Sequence, residues 1–108
     1  MTALPGAILF ACTMNAVRSP MAEGLMKRYF GASVYVDSVG VRAGALDAFA
    51  VAVMEEIGID ISKHRPKVFD DLEDSSYDLI VSLSPQAQHS AVEMTRTMAC
   101  EVEFWNTF

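Results

Sequence analysis

The sequence predicts a single α/β domain spanning residues 1–108: a parallel four-stranded sheet with helices on both faces, three layers in all. Three observations predict it. Short apolar runs of β-compatible residues alternate with stretches of helical period along the chain. Serine–proline pairs, aspartate and glycine stand where one pattern gives way to the other. The 108 residues, 52% apolar and 20% charged, suffice for one hydrophobic core.

Residues 7–11 form the first apolar run, a buried-strand signal. Ser19-Pro20 then predicts a helix start, with serine as N-cap and proline at the first helical position. Met21, Leu25, Met26, Tyr29 and Phe30 follow at helical spacing, and Gly31 can end that helix. Residues 34–39, rich in β-branched side chains, predict the second strand. Asp47 caps a second helix running through Ile57, with Phe49, Val53 and Ile57 repeating every four residues; Gly58 closes it. Residues 60–76 are polar and irregular, and their acidic stretch (Asp70, Asp71, Glu73, Asp74) predicts a solvated face. Residues 77–83 predict the third strand. Ser84-Pro85 repeats the cap-then-proline pattern, opening a helix that runs to Met94 or Met98. Residues 101–105 predict the fourth strand. Ligands of such sheets bind beyond the carboxyl ends of the strands.

Composition excludes several classes. The formal charge is −6, and of the eight basic residues only Lys63, Arg65 and Lys67 cluster. A nucleic-acid surface needs a basic stripe, so no nucleic-acid partner is expected. An acidic protein that binds phosphate must concentrate its positive potential locally. Cys12 and Cys100 make neither a disulfide framework nor a metal-ligand pattern, and no metal or cofactor is expected. No segment reaches the roughly 18 uninterrupted apolar residues of a membrane helix, so no membrane partner is expected. The early apolar run lacks the basic opening of a secretory signal, since no basic residue precedes Arg18. A reducing, cytoplasmic setting is the expectation.

The chemistry concentrates in Cys12-Thr13-Met14-Asn15-Ala16-Val17-Arg18-Ser19, of the form C-x5-R-S, between the first strand and the first helix. A loop of this length can turn successive backbone N–H groups inward as an anion nest. The helix behind it aims its positive dipole end into the same hollow. Such a site holds a tetrahedral oxyanion and also stabilises a thiolate nucleophile. The planar fork of Arg18 suits two oxyanion oxygens at once. Ser19 can donate a hydrogen bond to the sulfur. The competing reading makes Cys12 an inert buried thiol, as most unpaired cysteines are.

The run from Phe10 to Glu23 resembles the signature of the low-molecular-weight protein tyrosine phosphatases. Ser38-Val39-Gly40, Gly58-Ile59-Asp60, His64-Arg65 and Tyr77-Asp78-Leu79-Ile80-Val81 resemble further segments of that family in the same order. The resemblance implies strand order 2-1-3-4 and a cysteine-dependent phosphatase. Cys12 would attack phosphorus to form a phosphocysteine. Arg18 and the amides of Thr13, Met14, Asn15, Ala16, Val17 and Ser19 would hold the transition state. Asn15, Ser38 and His64 would brace the loop. By position alone, His64 reads more readily as a solvated loop residue, and the resemblance brings the two readings level. The implied substrate is a phosphorylated protein or a small phosphomonoester, with inorganic phosphate as product.

Two departures qualify the resemblance. The family follows its fourth strand with an Asp-Pro loop, whose aspartate is the general acid, and a last helix; here the sequence reads Trp105-Asn106-Thr107-Phe108. General acid catalysis is worth about 10²–10⁴-fold. The expectation is therefore a C-terminally short domain, slow on poor leaving groups, with apolar surface exposed beside the first helix and a tendency to self-associate. Val17 stands where several relatives carry a second cysteine. Arsenate reductases of this fold need further cysteines after the third strand, and residues 82–88 contain none, which ranks that activity second among enzymes. The rival from another class is an oxyanion-binding module without turnover.

Overall fold

The computed structural model of this chain describes residues 6–15, 18–72, 77–95 and 100–105. Ala16, Val17, Glu73, Asp74, the helix extension to Met98 and residues 106–108 lie outside the described residues. In chain order the elements are β1 (Ala7–Cys12), α1 (Arg18–Phe30), β2 (Tyr35–Gly40), α2 (Ala48–Glu56), β3 (Leu79–Ser82), α3 (Pro85–Met94) and β4 (Glu101–Phe104). The strands make one parallel sheet ordered β2-β1-β3-β4.

All six residues of β1 are buried, as a central strand covered on both faces requires. Its alternate side chains divide the core. Ala7, Leu9 and Ala11 join Val39, Tyr77, Ile80 and the Ala87 and Ala91 of α3. Ile8, Phe10 and Cys12 join Val36, Val81 and Leu83, with Ala22 and Met26 of α1 packed on them. The register sets Cys12 opposite Gly40 and Ala11 opposite Ser82, so the carboxyl ends of three strands meet at one place. The chain leaves β1 toward β2 on one side and returns to β3 on the other. A crevice opens at such a reversal.

The punctuation residues act as their chemistry suggests in most places. Asp47 accepts hydrogen bonds from the amides of Phe49 and Ala50, and Ser84 from that of Ala87. Gly58 follows α2 with φ +77°, a conformation that costs a glycine little. The expected N-cap at Ser19 is corrected. α1 begins at Arg18, and Ser19 lies inside the first turn with its side chain fully buried. Its hydroxyl turns away from the helix toward Cys12. Among the described residues no helix is long and apolar enough to cross a membrane.

α2 is where the sequence predicts it, but the Phe49-Val53-Ile57 repeat does not face the core. Phe49 is 77% exposed and Ile57 56%, while Ala50 and Met54 are buried. Met54 packs with Ile59 and Ile61 and closes on Gly24 of α1, where an added Cβ would stand 2.9 Å from Ile61 and 3.3 Å from Met54. α2 therefore docks on α1 and the 59–61 segment through its smaller residues. On α1, Leu25, Tyr29 and Phe30 are exposed, so three of the five residues of its apolar stripe also face outward.

This orientation predicts opposite costs for two apolar truncations one helical turn and a fraction apart. Met54→Ala should destabilise the fold by about 2–5 kcal/mol. Phe49→Ala, at an exposed position, should stay within about 0.5 kcal/mol. Urea denaturation of both variants checks this, and equal losses would reverse the assigned face.

Candidate functional site

The crevice is built on a loop that leaves β1 without continuing as a strand. The carbonyls of Cys12, Thr13 and Met14 accept in turn from the amides of Val41, Arg42 and Gly44, at 3.1, 2.9 and 2.9 Å. In a strand, successive carbonyls alternate in direction; here three point the same way. A trans peptide sets each C=O opposite the next residue's N–H. The amides of Thr13, Met14 and Asn15 are thereby turned to the other side, where the Cys12 sulfur sits. The Asn15 N–H donates to Cys12 Sγ at 3.1 Å. Asn15 itself has φ +53°, a left-handed conformation that asparagine tolerates better than most residues. Right- and left-handed residues in succession form an anion nest.

Cys12 is buried, and its sulfur also lies 2.9 Å from Ser19 Oγ. The Ser19 hydroxyl has a second acceptor, the Val39 carbonyl at 3.4 Å. A thiol can donate to Ser19 while Ser19 donates to Val39. A thiolate cannot donate, and the hydroxyl then serves the sulfur.

Behind the loop, the Asn15 side chain joins everything. Its Nδ2 donates to Ser19 Oγ at 2.8 Å and to Ser38 Oγ at 3.1 Å. Its Oδ1 accepts from the Lys67 amide at 2.9 Å and lies 3.0 Å from His64 Nε2. The Lys67 amide can only donate, which fixes Oδ1 as the acceptor and makes His64 an Nε2–H donor. Ser38 in turn donates to Glu23 Oε1. Glu23, buried on α1, is also paired with Lys27 and lies 3.7 Å from His64 Nδ1. Burial lowers the His64 pKa below its ordinary 6.5, and the Glu23 carboxylate works against that shift. The structure thus brings Cys12, Asn15, Ser19, Ser38 and His64 into one hydrogen-bonded chain.

Arg18 reaches the same edge of the sheet from α1. Its Nη1 donates to the Leu83 carbonyl at 3.2 Å, just past the end of β3. Thr13 Oγ1 lies 3.0 Å from Ser84 Oγ and 3.3 Å from Gln86 Oε1, with one hydrogen to give to either, which ties the loop to the start of α3. Met14 is 41% exposed and lies against Gly44. Among the described residues no group of three His, Cys, Asp or Glu is placed to hold a metal ion.

A family model described as low molecular weight phosphotyrosine protein phosphatase matches residues 7–108. The chain belongs to that family. The arsenate reductase of Bacillus subtilis (strain 168) is 42% identical over 80 residues, which are 74% of this chain and 58% of that protein. The chain thus spans less than two thirds of that relative's length. An arsenate reductase solved in its phosphate-binding state shares the fold with a TM-score of 0.75 and 27% identity, over 94% of this chain and 77% of that one. The YwlE arginine phosphatase, solved as a mutant with a phosphorylated active-site serine, has a TM-score of 0.69 and 31% identity, over 83% and 63%.

Within this member of the family, several site residues escape a reading by motif. Glu23 and Tyr77 end or begin runs that resemble the family, with no role attached to them, and Asp37 and Lys67 carry no motif. Yet Lys67 Nζ pairs with Asp37, which also accepts from the Tyr77 hydroxyl at 3.2 Å. One signal was available for Glu23: it is four residues before Lys27 and four after Ser19, so it shares the helix face that carries Ser19. Gly40 has a steric reason to be glycine. A Cβ there would lie 2.6 Å from Asn15 N and 2.6 Å from Arg42 O, both backbone atoms.

Gly40→Ala should therefore displace the loop, costing about 1–3 kcal/mol of stability. It should also slow iodoacetamide alkylation of Cys12; an unchanged alkylation rate in a folded variant would refute the steric argument. His64 gives a pH prediction. Its folded pKa lies below 6.5, so the folded state binds fewer protons, and the contribution is fully present above pH 6.5. Stability should fall as pH drops from 6.5 through the folded pKa. His64→Gln, which keeps an N–H donor, should remove that part of the pH dependence in denaturant titrations, with the ring pKa read by NMR.

Proposed function

We propose that this chain carries the phosphate-handling core of a cysteine-dependent phosphomonoester hydrolase of the protein tyrosine phosphatase type. One observation carries the reading: a buried sulfur that receives the Asn15 amide and faces the Ser19 hydroxyl, with loop carbonyls 12–14 all turned outward. Preorganised donors of this kind stabilise both a thiolate and the charge of a phosphoryl transition state. Cys12 Sγ attacks phosphorus, the phosphorus–oxygen ester bond breaks, and the leaving oxygen takes the electron pair. Water then attacks the phosphocysteine, releasing inorganic phosphate and returning the thiolate, which Ser19 and Asn15 receive. Arg18, moving from the Leu83 carbonyl, binds two oxygens of the group in flight. The substrate is a phosphorylated protein or small phosphomonoester. An activated aryl phosphate needs no acid at its leaving oxygen, so it is the substrate of choice for the test. A reducing compartment such as the cytoplasm suits the free thiol.

A second reading, arsenate reduction, is favoured by the names of the curated relatives. Reducing arsenate to arsenite takes two electrons, supplied by two thiols that become a disulfide. Cys12 is one. Cys100, the other free cysteine among the described residues, packs on the opposite face of the sheet, in the core under α3. Ser84, beside the loop, is a hydroxyl. This chain would therefore depend on an external thiol.

Turnover of para-nitrophenyl phosphate should vanish in Cys12→Ser and fall by about 10²–10³ in Arg18→Ala. Equal rates for both variants and the parent would eliminate the phosphatase reading. Arsenite formation with glutathione and glutaredoxin, without aryl phosphate turnover, would install the second.

A further inference from the structure

A cleft of about 490 Å³ opens between α1, β2 and the 60–67 segment, behind the Cys12 loop. Among the described residues of 12–19 none lines it. Lys27, Lys63 and Lys67 do, with His64, and Tyr35 and Ile61 supply apolar wall. This gathers two of the three residues of the only basic cluster in a sequence of charge −6.

Three carboxylates share the cleft, and each is engaged by the fold. Asp60 accepts from the Ser62 amide at 2.8 Å and the Ser62 hydroxyl at 2.6 Å. Asp37 accepts from the Ser38 amide, Tyr77 and Lys67. Glu23 accepts from Ser38 and Lys27. An ammonium has three donors and a single geometry does not exhaust them. Among the described residues Lys63 makes no ion pair. Lys27 and Lys67 each spend a donor on Glu23 and Asp37, and Lys63, across from Asp60, keeps its donors free of any such pair, so the cleft offers ammonium hydrogens to an anion.

Its wall is also the outer half of the network that holds Cys12. Glu23, His64 and Lys67 each stand one or two hydrogen bonds from Asn15. We propose that this cleft is a regulatory site for a small organic polyanion, held by Lys27, Lys63 and Lys67 and coupled through Glu23 and Asn15 to the Cys12 loop. The anion takes ammonium donors from Glu23 and Asp37. The carboxylates are left less compensated, and the added negative potential behind the loop disfavours the Cys12 thiolate. Occupancy slows the thiol.

The probe is citrate, whose planar carboxylates do not mimic the tetrahedral group proposed for the Cys12 loop. In the full chain, NMR should show citrate shifting the resonances of Tyr35, Asp60 and Lys63 ahead of those of Thr13 and Met14. The same titration should slow iodoacetamide alkylation of Cys12 by about threefold. Lys63→Glu, an exposed change, should weaken citrate binding at least tenfold and remove the effect on alkylation. Lys63→Gln should give an intermediate loss. Citrate binding unaffected by Lys63→Glu, or shifts confined to Thr13 and Met14, would overturn the proposal. Both readouts work without turnover, so an inactive enzyme with a responsive thiol refutes the proposed hydrolase and leaves this site standing.

Discussion

The structure depends on one carboxamide, that of Asn15. It is fully buried and bonded on all sides: to Ser19 and Ser38 through its nitrogen, and to Lys67 and His64 through its oxygen. The four partners come from three segments, so one group fixes the loop against α1, β2 and the 60–67 connection. A buried amide left without partners costs about 1–3 kcal/mol per lost group. That penalty makes the arrangement cooperative, because moving any one segment strands polar atoms in the others. Among the described residues no buried side-chain nitrogen or oxygen lacks a partner.

The sheet makes this junction possible. Parallel order β2-β1-β3 sends three chain ends to the same edge, and α1 returns from it with its N-terminal turn against the loop. Gly40 ends β2 where the loop passes, and the absent side chain lets the two backbones touch. The amides beyond it, from Val41 to Gly44, then hold the loop carbonyls in place of a fourth turn of sheet. Fold and site are thus one hydrogen-bond pattern, continued past the end of the strands.

Much of this was legible in the sequence, and for physical reasons. β1 and β3 are short apolar runs because they are buried on both faces, and the caps at Asp47 and Ser84 are local chemistry visible in a few residues. The Cys12-to-Ser19 loop is local too, and its contacts with Ser38 and His64 were reached through family resemblance. What periodicity could not tell is which apolar stripe faces inward. Phe49 and Ile57 outrank Ala50 in hydrophobicity, yet Gly24 opens a shallow seat that admits Met54 and the small residues. Serine at position 19 satisfies the statistics of an N-cap, but a sulfur and an amide nearby compete for its hydroxyl and win. Glu23 and Lys67 were hidden because their partners are 15 and 30 residues away, at Ser38 and Asp37.

Counting hydrogens through the network shows where its freedom lies. The Lys67 amide fixes the orientation of Asn15, Asn15 fixes Ser38 as a donor to Glu23, and His64 must donate through Nε2. Apart from the His64 Nδ1 that faces Glu23 at 3.7 Å and titrates, every hydrogen in that sequence is assigned. One hydroxyl is not: Ser19 receives from Asn15 and can give its hydrogen either to the Val39 carbonyl or to the sulfur. A sulfur that loses its proton, or regains a negative charge when a group leaves it, meets a donor already within 2.9 Å that need only rotate. No other hydrogen bond of the network has to break for that rotation. Preorganised partners elsewhere let a single hydroxyl follow the charge on Cys12.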